Sequence, residues 1–197
     1  MKSSSFGGVS GVISIAIICG GSLPIAAQEA AGHAHSEKDV AAAAEIHASR
    51  RRLSPELERI KSLAGKWEGT TFRVSEGTRS AIMTYVITGA GSAVVEVMFP
   101  GTPGEMTTVY HDDSSGRLVA EHYCNAGNQP RLRLVESGPN HLKFVLAPDS
   151  DIKADLEHHA HELNIAFGAD GSLTHDWLNF YLGDPAQARN IQLTKVR

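Results

Sequence analysis

The chain has 197 residues and a formal net charge of −4 at neutral pH. This length suits one domain rather than several, and a hydrophobic content of 42% excludes a disordered chain. An acidic protein has no overall positive field with which to attract a polyanion, so we expect no nucleic acid partner.

The first 27 residues are typical of a secretory signal peptide. A charged start precedes the apolar run from Val12 to Cys19, which is shorter than the ~20 residues of a membrane-spanning helix. Pro24 and the small residues after it predict cleavage after Ala27. Lipid attachment at Cys19 is not expected, because Ile18 precedes it where a small residue is favoured. We therefore expect an exported protein, periplasmic or secreted, with no stable membrane span after cleavage.

Residues 28–53 carry no sustained apolar stripe, which predicts a flexible or helical leader. A single domain is predicted over 54–197. It begins with a short helix, because Ser54 is a favoured N-cap and Pro55 a favoured first helical residue. Three apolar residues share one face of this segment: Leu57, Ile60 and Leu63. We expect this face to cover or plug the structure that follows.

From Trp67 onward the apolar residues alternate with polar ones, and turn signals recur every ~8 to 12 residues. The predicted strands are 67–75, 79–88, 92–99, 105–112, 117–124, 130–136, 141–147, 157–167, 172–181 and 189–196. Short turns join antiparallel neighbours, and so long a meander leaves two exposed edges unless it closes. The sequence therefore predicts an all-β fold, an up-and-down antiparallel β-barrel of about ten strands.

Alternation also predicts which side chains face the barrel lumen. The predicted core residues are Leu132, Leu134, Leu142, Phe144, Leu163, Ile165 and Phe167. His159 and His161 share a face with Leu163, and His122 shares one with Cys124. Cys124 is the one cysteine left after cleavage, so we expect no internal disulfide.

Buried polar groups need partners, so the inward histidines are expected to converge on a ligand, a metal or ordered water. Loop amides at the barrel rim extend this set. The predicted ligand-binding residues are Tyr110, His111, His122, Cys124, Asn128, Gln129, His159 and His161. Four of them carry nitrogen or sulfur atoms suited to a divalent metal such as zinc or copper: His122, Cys124, His159 and His161. The possible cofactors are thus a divalent metal or haem.

Several stretches carry a family resemblance. They are Leu63–Gly69, Glu105–His111, His122–Arg131 and His159–His161. Together they resemble a family of exported bacterial proteins of unknown function related to the DUF1579 group, over residues 55–197. The resemblance implies a lipocalin-like, or calycin, barrel akin to lipocalins, fatty-acid-binding proteins and the haem-binding nitrobindins. It implies no established activity, and a fold alone assigns no ligand.

The leading functional expectation is an exported barrel that binds a small, partly apolar molecule. One alternative is a metal-binding or haem-binding barrel that uses the lumen histidines. A second is a small hydrolase or isomerase with His122 or His161 as general base. The sequence has no Gly-x-Ser-x-Gly elbow, phosphate-binding P-loop or His-Glu-x-x-His zinc helix to favour an enzyme. It makes no prediction about the oligomeric state.

Overall fold

A computed structural model describes residues 36–50 and 53–197 of the chain. The predicted signal peptide, its cleavage site at Ala27 and the question of a lipid anchor at Cys19 lie outside the described residues. No helix within these two ranges is long and apolar enough to cross a membrane.

The described ranges contain two α-helices, ten β-strands and a 3-10 turn at Gly89–Gly91. The helices and strands are α1 (Glu37–Arg50), α2 (Pro55–Lys61), β1 (Gly65–Arg73), β2 (Gly77–Thr88), β3 (Ala93–Met98), β4 (Met106–Asp112), β5 (Leu118–Tyr123), β6 (Arg131–Gly138), β7 (His141–Leu146), β8 (His159–Phe167), β9 (Leu173–Tyr181) and β10 (Asp184–Lys195). The ten predicted strands are confirmed. The main difference is that β10 begins at Asp184, five residues before the predicted start.

The strands form a closed barrel in which each strand pairs antiparallel with its sequence neighbours, and β1 pairs with β10. The predicted up-and-down barrel is therefore confirmed. Gly69 is needed where β1 pairs with β10 and closes the barrel. A Cβ atom on this residue would lie 1.9 Å from the backbone oxygen of Gln192 on β10, so a larger residue would force the two strands apart.

Helix α2 closes one end of the barrel, which we call the closed end. As predicted, Ser54 is its N-cap, and its hydroxyl accepts the Leu57 N–H at 3.0 Å. The Ser54 hydroxyl and N–H both donate to the carboxylate of Asp112 on β4, at 2.6 and 2.7 Å. Leu57 and Ile60 are fully buried. The helix therefore plugs the barrel with its apolar face, as expected.

The opposite end, which we call the open end, carries the β1–β2, β3–β4, β5–β6, β7–β8 and β9–β10 connections. Helix α2 contacts β2, β3 and β4 at the closed end. Helix α1 lies in the predicted leader, so residues 37–50 of that segment are helical, and its Val40 is 59% exposed. The two ends of the barrel thus differ in how they are covered.

The core is formed by inward-facing residues from all ten strands. Five of the predicted core residues are fully buried: Leu132, Leu142, Phe144, Leu163 and Ile165. Leu134 and Phe167 are only partly buried against this core. Phe167 is only partly buried because β8 ends there, at the closed end, and α2 covers one side of the ring. The guanidinium carbon of Arg59 lies 4.5 Å from the centre of this ring.

The prediction that His159 and His161 face the lumen with Leu163 is wrong. A bulge in β8 between Ala160 and Glu162 shifts the register against β9, and an extra residue reverses the alternation. Ala160 is consequently buried in the core, opposite Asn179. The two histidines lie on the other face of the strand.

Candidate functional site in the barrel lumen

A row of polar side chains crosses four neighbouring strands on the inner face of the barrel. Tyr85 on β2 is the register partner of Glu96 on β3, and Thr108 on β4 is the partner of both Glu96 and His122 on β5. Register partners place their side chains next to each other on one face of a sheet. All four residues are buried, so the row forms a continuous polar strip in the lumen wall.

Glu96 is the centre of this row and is fully buried. The hydroxyl of Tyr110 on β4 donates to its Oε2 atom at 2.9 Å. Burial raises the pKa of Glu96 to about 7, although the nearby hydroxyl groups of Tyr110, Tyr85 and Thr108 act in the opposite direction. The carboxyl group therefore exists in both protonation states near neutral pH.

His175 on β9 reaches this row from the facing wall of the barrel. Its Nε2 atom lies 3.0 Å from the Tyr85 hydroxyl, and its Nδ1 atom lies 3.8 Å from Oε2 of Glu96. Burial lowers the pKa of His175 to about 3, so the ring is neutral at pH 7. Glu96 and His175 therefore do not form an ion pair at neutral pH, despite their short separation.

His122 lies nearer the open end. Its Nδ1 atom is 2.9 Å from the Thr108 hydroxyl, and its ring centre is 4.6 Å from that of Trp177 on β9. Burial lowers the pKa of His122 to about 4, so this ring is also neutral at pH 7. The pair of rings connects β5 to β9 across the lumen.

Three buried polar atoms around the polar row have no hydrogen-bond partner within the described part of the chain: Glu96 Oε1, His175 Nδ1 and Trp177 Nε1. Nearer the open end, Arg73 Nε and Asn128 Oδ1 also have none among the described residues. A buried donor or acceptor that lacks a partner costs ~1 to 3 kcal/mol. The lumen therefore offers unused hydrogen-bonding capacity on two facing walls, to water or to a bound molecule.

Of the predicted ligand-binding residues, Tyr110 and His122 lie in this polar lumen. His111 does not, because it neighbours Tyr110 and therefore points to the outer wall. There its Nδ1 atom lies 3.1 Å from the backbone oxygen of Asp112, and its Nε2 atom lies 3.9 Å from Glu121.

The predicted residues of the β5–β6 loop lie at the open end. Cys124 is partly buried, and its sulfur accepts the Ala126 N–H at 3.5 Å. The amide of Asn128 donates to the backbone oxygen of His158 at 2.9 Å, so it joins this loop to the start of β8. Gln129 is exposed. Asn128 thus has a structural partner for its N–H group but none for its buried Oδ1 atom among the described residues. The amide of Gln129 donates to the backbone oxygen of Gly127 at 3.4 Å.

His159 and His161 form a hydrogen-bonded chain on the face of β8 opposite Leu163, where His159 is fully buried and His161 partly buried. Nδ1 of His159 lies 2.7 Å from the backbone oxygen of Glu157, so this nitrogen carries the proton. Nε2 of His159 then accepts the Nδ1–H of His161 at 3.0 Å. This arrangement leaves Nε2 of His161 with its lone pair. The His161 ring stacks on Phe180 at a centroid distance of 3.8 Å.

The four predicted metal ligands are not gathered in one place. His159 and His161 are together, but His122 pairs with Thr108 inside the barrel. Across residues 36–50 and 53–197, no three or more His, Cys, Asp or Glu side chains are arranged to hold a metal ion. A structural zinc site needs four protein ligands and a catalytic one needs three, so the geometry does not fit such a site.

A surface groove of about 780 Å³ lies at the closed end, between Leu63, Trp67, Phe167 and the C-terminal residues. The indole N–H of Trp67 is already bonded to the Leu63 backbone oxygen at 2.7 Å. None of the unpartnered lumen atoms lines this groove. The groove is therefore separate from the polar lumen.

The sequence analysis did not identify five residues of the lumen site: Tyr85, Glu96, Thr108, His175 and Trp177. Glu96 carried a signal, since it is the single charged residue in the apolar strand Ala93–Met98. Both faces of that strand are apolar, so alternation alone could not show which face is inside.

No protein-family model matches the chain, and no curated protein matches it. The class of protein is defined by the fold: a closed, ten-stranded antiparallel β-barrel. Its lumen is plugged at one end and polar at its centre.

Proposed function

We propose that this barrel binds a small molecule in its lumen, entering from the open end. The observation that carries the proposal is the unpartnered indole N–H of Trp177, which is 95% buried on the lumen face. Buried polar groups in proteins almost always have a partner. A bound molecule with an acceptor atom provides one for Trp177.

The arrangement of the lumen supports this reading. The closed end is filled by α2, so the open end is the route that remains. Polar groups are few and lie on facing walls among apolar side chains such as Met98 and Phe144, which is typical of small-molecule sites. The proposal also holds that the protein is exported and that its barrel is related to those of lipocalins, as predicted from the sequence.

The test is native mass spectrometry of the protein after incubation with a small-molecule extract of its source cells. We expect the parent protein to retain a compound, and Trp177→Phe to lose it, because the variant keeps an aromatic ring but lacks the N–H donor. Trp67→Phe is the matched control, since it removes the indole N–H at the closed end. A parent protein that retains nothing, or a Trp177→Phe variant that retains as much as the parent, would contradict the proposal.

The His159–His161 pair supports a second candidate, a haem or metal complex bound outside the lumen. The hydrogen-bonded chain leaves the His161 Nε2 lone pair free and holds the ring in place, as a carbonyl or carboxylate does for metal-binding histidines. One such nitrogen suffices only for a metal that brings other ligands with it, as haem does. The test is a haem titration followed by visible absorption. His161→Ala should abolish a Soret shift that His158→Ala preserves, and no shift in the parent would exclude this candidate.

A further inference from the structure

Arg189 lies on the inner face of β10 near the open end, outside the polar row around Glu96. It is the register partner of Trp177 on β9. Partners in an antiparallel pair have Cβ atoms about 4.5 to 5.5 Å apart on one face. The side chains of Arg189 and Trp177 therefore start side by side on the inner face of the barrel, near its open end.

The side chain of Arg189 is positioned by two contacts. Its guanidinium carbon lies 5.0 Å from the ring centre of Phe99, and its Nη1 atom lies 3.5 Å from the Thr71 hydroxyl. Phe99 adopts a φ of +55°, which is uncommon for a residue other than glycine. Its N–H donates to the backbone oxygen of Ile82 at 2.9 Å, which holds this conformation. Phe99 thus supports the guanidinium from one side.

Two further arginines act on Arg189 through their charge, Arg73 and Arg79. They lie on the inner faces of β1, which pairs with β10, and of β2, which pairs with β1. Both pair with Glu76, at 2.8 and 3.7 Å, one with each carboxylate oxygen. Arg189 has no carboxylate within ion-pair distance in the described part of the chain. Burial, followed by the charge of Arg73, lowers the pKa of Arg189 to about 10, so it remains charged at neutral pH.

Two kinds of donor therefore lie on paired strands near the open end, the Arg189 fork and the buried N–H of Trp177. Neither side chain can accept a hydrogen bond through these groups. A complementary ligand group must be an acceptor, and the unpaired positive charge favours an anion. The planar guanidinium fork matches the two oxygens of a carboxylate.

We propose that the entrance of the lumen binds the carboxylate of an organic acid, held by Arg189 and the indole N–H of Trp177. This inference rests on the proposed function and adds the chemical class of the bound molecule. It does not depend on the polar row around Glu96, which lies deeper in the barrel.

The test uses octanoate as the probe, octanamide as its neutral isostere, and inorganic phosphate as a second anion. The indole N–H signals of the two tryptophans are followed by nitrogen–proton NMR of the full protein. We expect octanoate to shift the Trp177 signal downfield in a saturable way. The Trp67 signal is an internal control, since its N–H is already bonded to a backbone oxygen. Added salt should weaken the binding.

Arg189→Gln should weaken octanoate binding about 10- to 100-fold, as expected for a lost hydrogen bond to a charged group. Arg133→Gln, an exposed arginine on β6, is the matched control and should bind like the parent. Octanamide should bind at least about tenfold more weakly to the parent, a comparison that requires no variant. Equal affinity for octanamide overturns the inference, as does an equal Trp177 shift with phosphate.

The two proposals fail in different ways. If a compound is retained in native mass spectrometry while octanoate has no advantage over octanamide, only the carboxylate assignment is wrong. If the parent retains no compound and neither probe binds, the proposed function itself fails.

Discussion

The two ends of the barrel use different kinds of interaction. At the closed end, apolar residues of α2 are buried against the lumen, and polar groups such as Ser54 and Asp112 have partners within the protein. At the open end, Arg189 has no ion pair within the described ranges and Trp177 carries an unused donor. Satisfied polar groups stabilise a fold, whereas unsatisfied ones remain for a ligand. In the function proposed above, the difference separates the part of the molecule that supports stability from the part that would support binding.

The largest expected effect tests the closed end. Leu57→Ala removes a fully buried side chain from α2 and should lower the free energy of unfolding by about 2 to 5 kcal/mol. The measurement is urea denaturation followed by circular dichroism. Val40→Ala on the exposed α1 is the control and should change the stability by less than about 0.5 kcal/mol. A cost below ~1 kcal/mol for Leu57→Ala would show that α2 does not plug the barrel.

The next effect tests the polar row between the two ends. The pKa of Glu96 rises from 4.5 to about 7 on folding, so the folded protein binds this proton more tightly than the unfolded chain. The stability gained from proton binding at Glu96 is therefore fully present below pH 4.5 and is lost as the pH rises through 7. Glu96→Gln removes this dependence. Relative to the variant, the parent should gain about 3 kcal/mol as the pH falls from 7 to 4.5.

Denaturant titrations at several pH values measure this difference. Glu68→Gln removes an exposed carboxylate on β1 and controls for the loss of one charge. A pH-independent difference between the parent and Glu96→Gln would mean that the buried carboxyl group does not titrate in this range.

A smaller effect tests how α2 is attached. Ser54→Ala removes the N-cap of the helix and a hydrogen bond to Asp112. Loss of an N-cap costs ~0.5 to 2 kcal/mol, and we expect a decrease of about 1 to 2 kcal/mol in the free energy of unfolding. Ser54→Thr preserves the hydroxyl and should retain most of the stability. An unchanged midpoint for Ser54→Ala would show that the cap contributes nothing.

The smallest effect tests the open end as a source of stability. Leu182 and Gly183 connect β9 to β10 with φ angles of +52° and +84°, as in a type I′ hairpin turn, which favours Asn-Gly. Leu182→Asn should therefore raise the free energy of unfolding by about 0.5 to 1 kcal/mol, measured by thermal denaturation. Octanoate binding should not change. A loss of stability would contradict the strain assigned to Leu182.

Alternation and turn residues were sufficient to predict the barrel and its strands. They worked because a strand with one buried face must alternate, and because Ser54 and Pro55 define a helix start locally. The same rule failed at His161, where one inserted residue reverses the faces of β8. A bulge depends on pairing with the neighbouring strand, which a single sequence does not contain.

The site could be predicted only in part. Tyr110 and His122 were found because they alternate with apolar residues on strands of clear pattern. Arg189 was missed because Asp184 and Pro185 are unusual in strands, so the predicted β10 began too late to place Arg189 beside Trp177. Contacts across the lumen, such as that between Tyr85 and His175, depend on closure of the barrel rather than on local sequence.

The pairing of β1 with β10 has a consequence for the folding rate. The two strands that close the barrel come from opposite ends of the domain, and the contact between Glu68 and Thr194 spans 126 residues. Such non-local pairing slows folding, because the entropy of a long loop is lost before the contact forms. Until β10 is in place, β1 and β9 each present an unpaired edge that can associate with other chains. A chain truncated before β10 should therefore aggregate rather than fold into a smaller barrel.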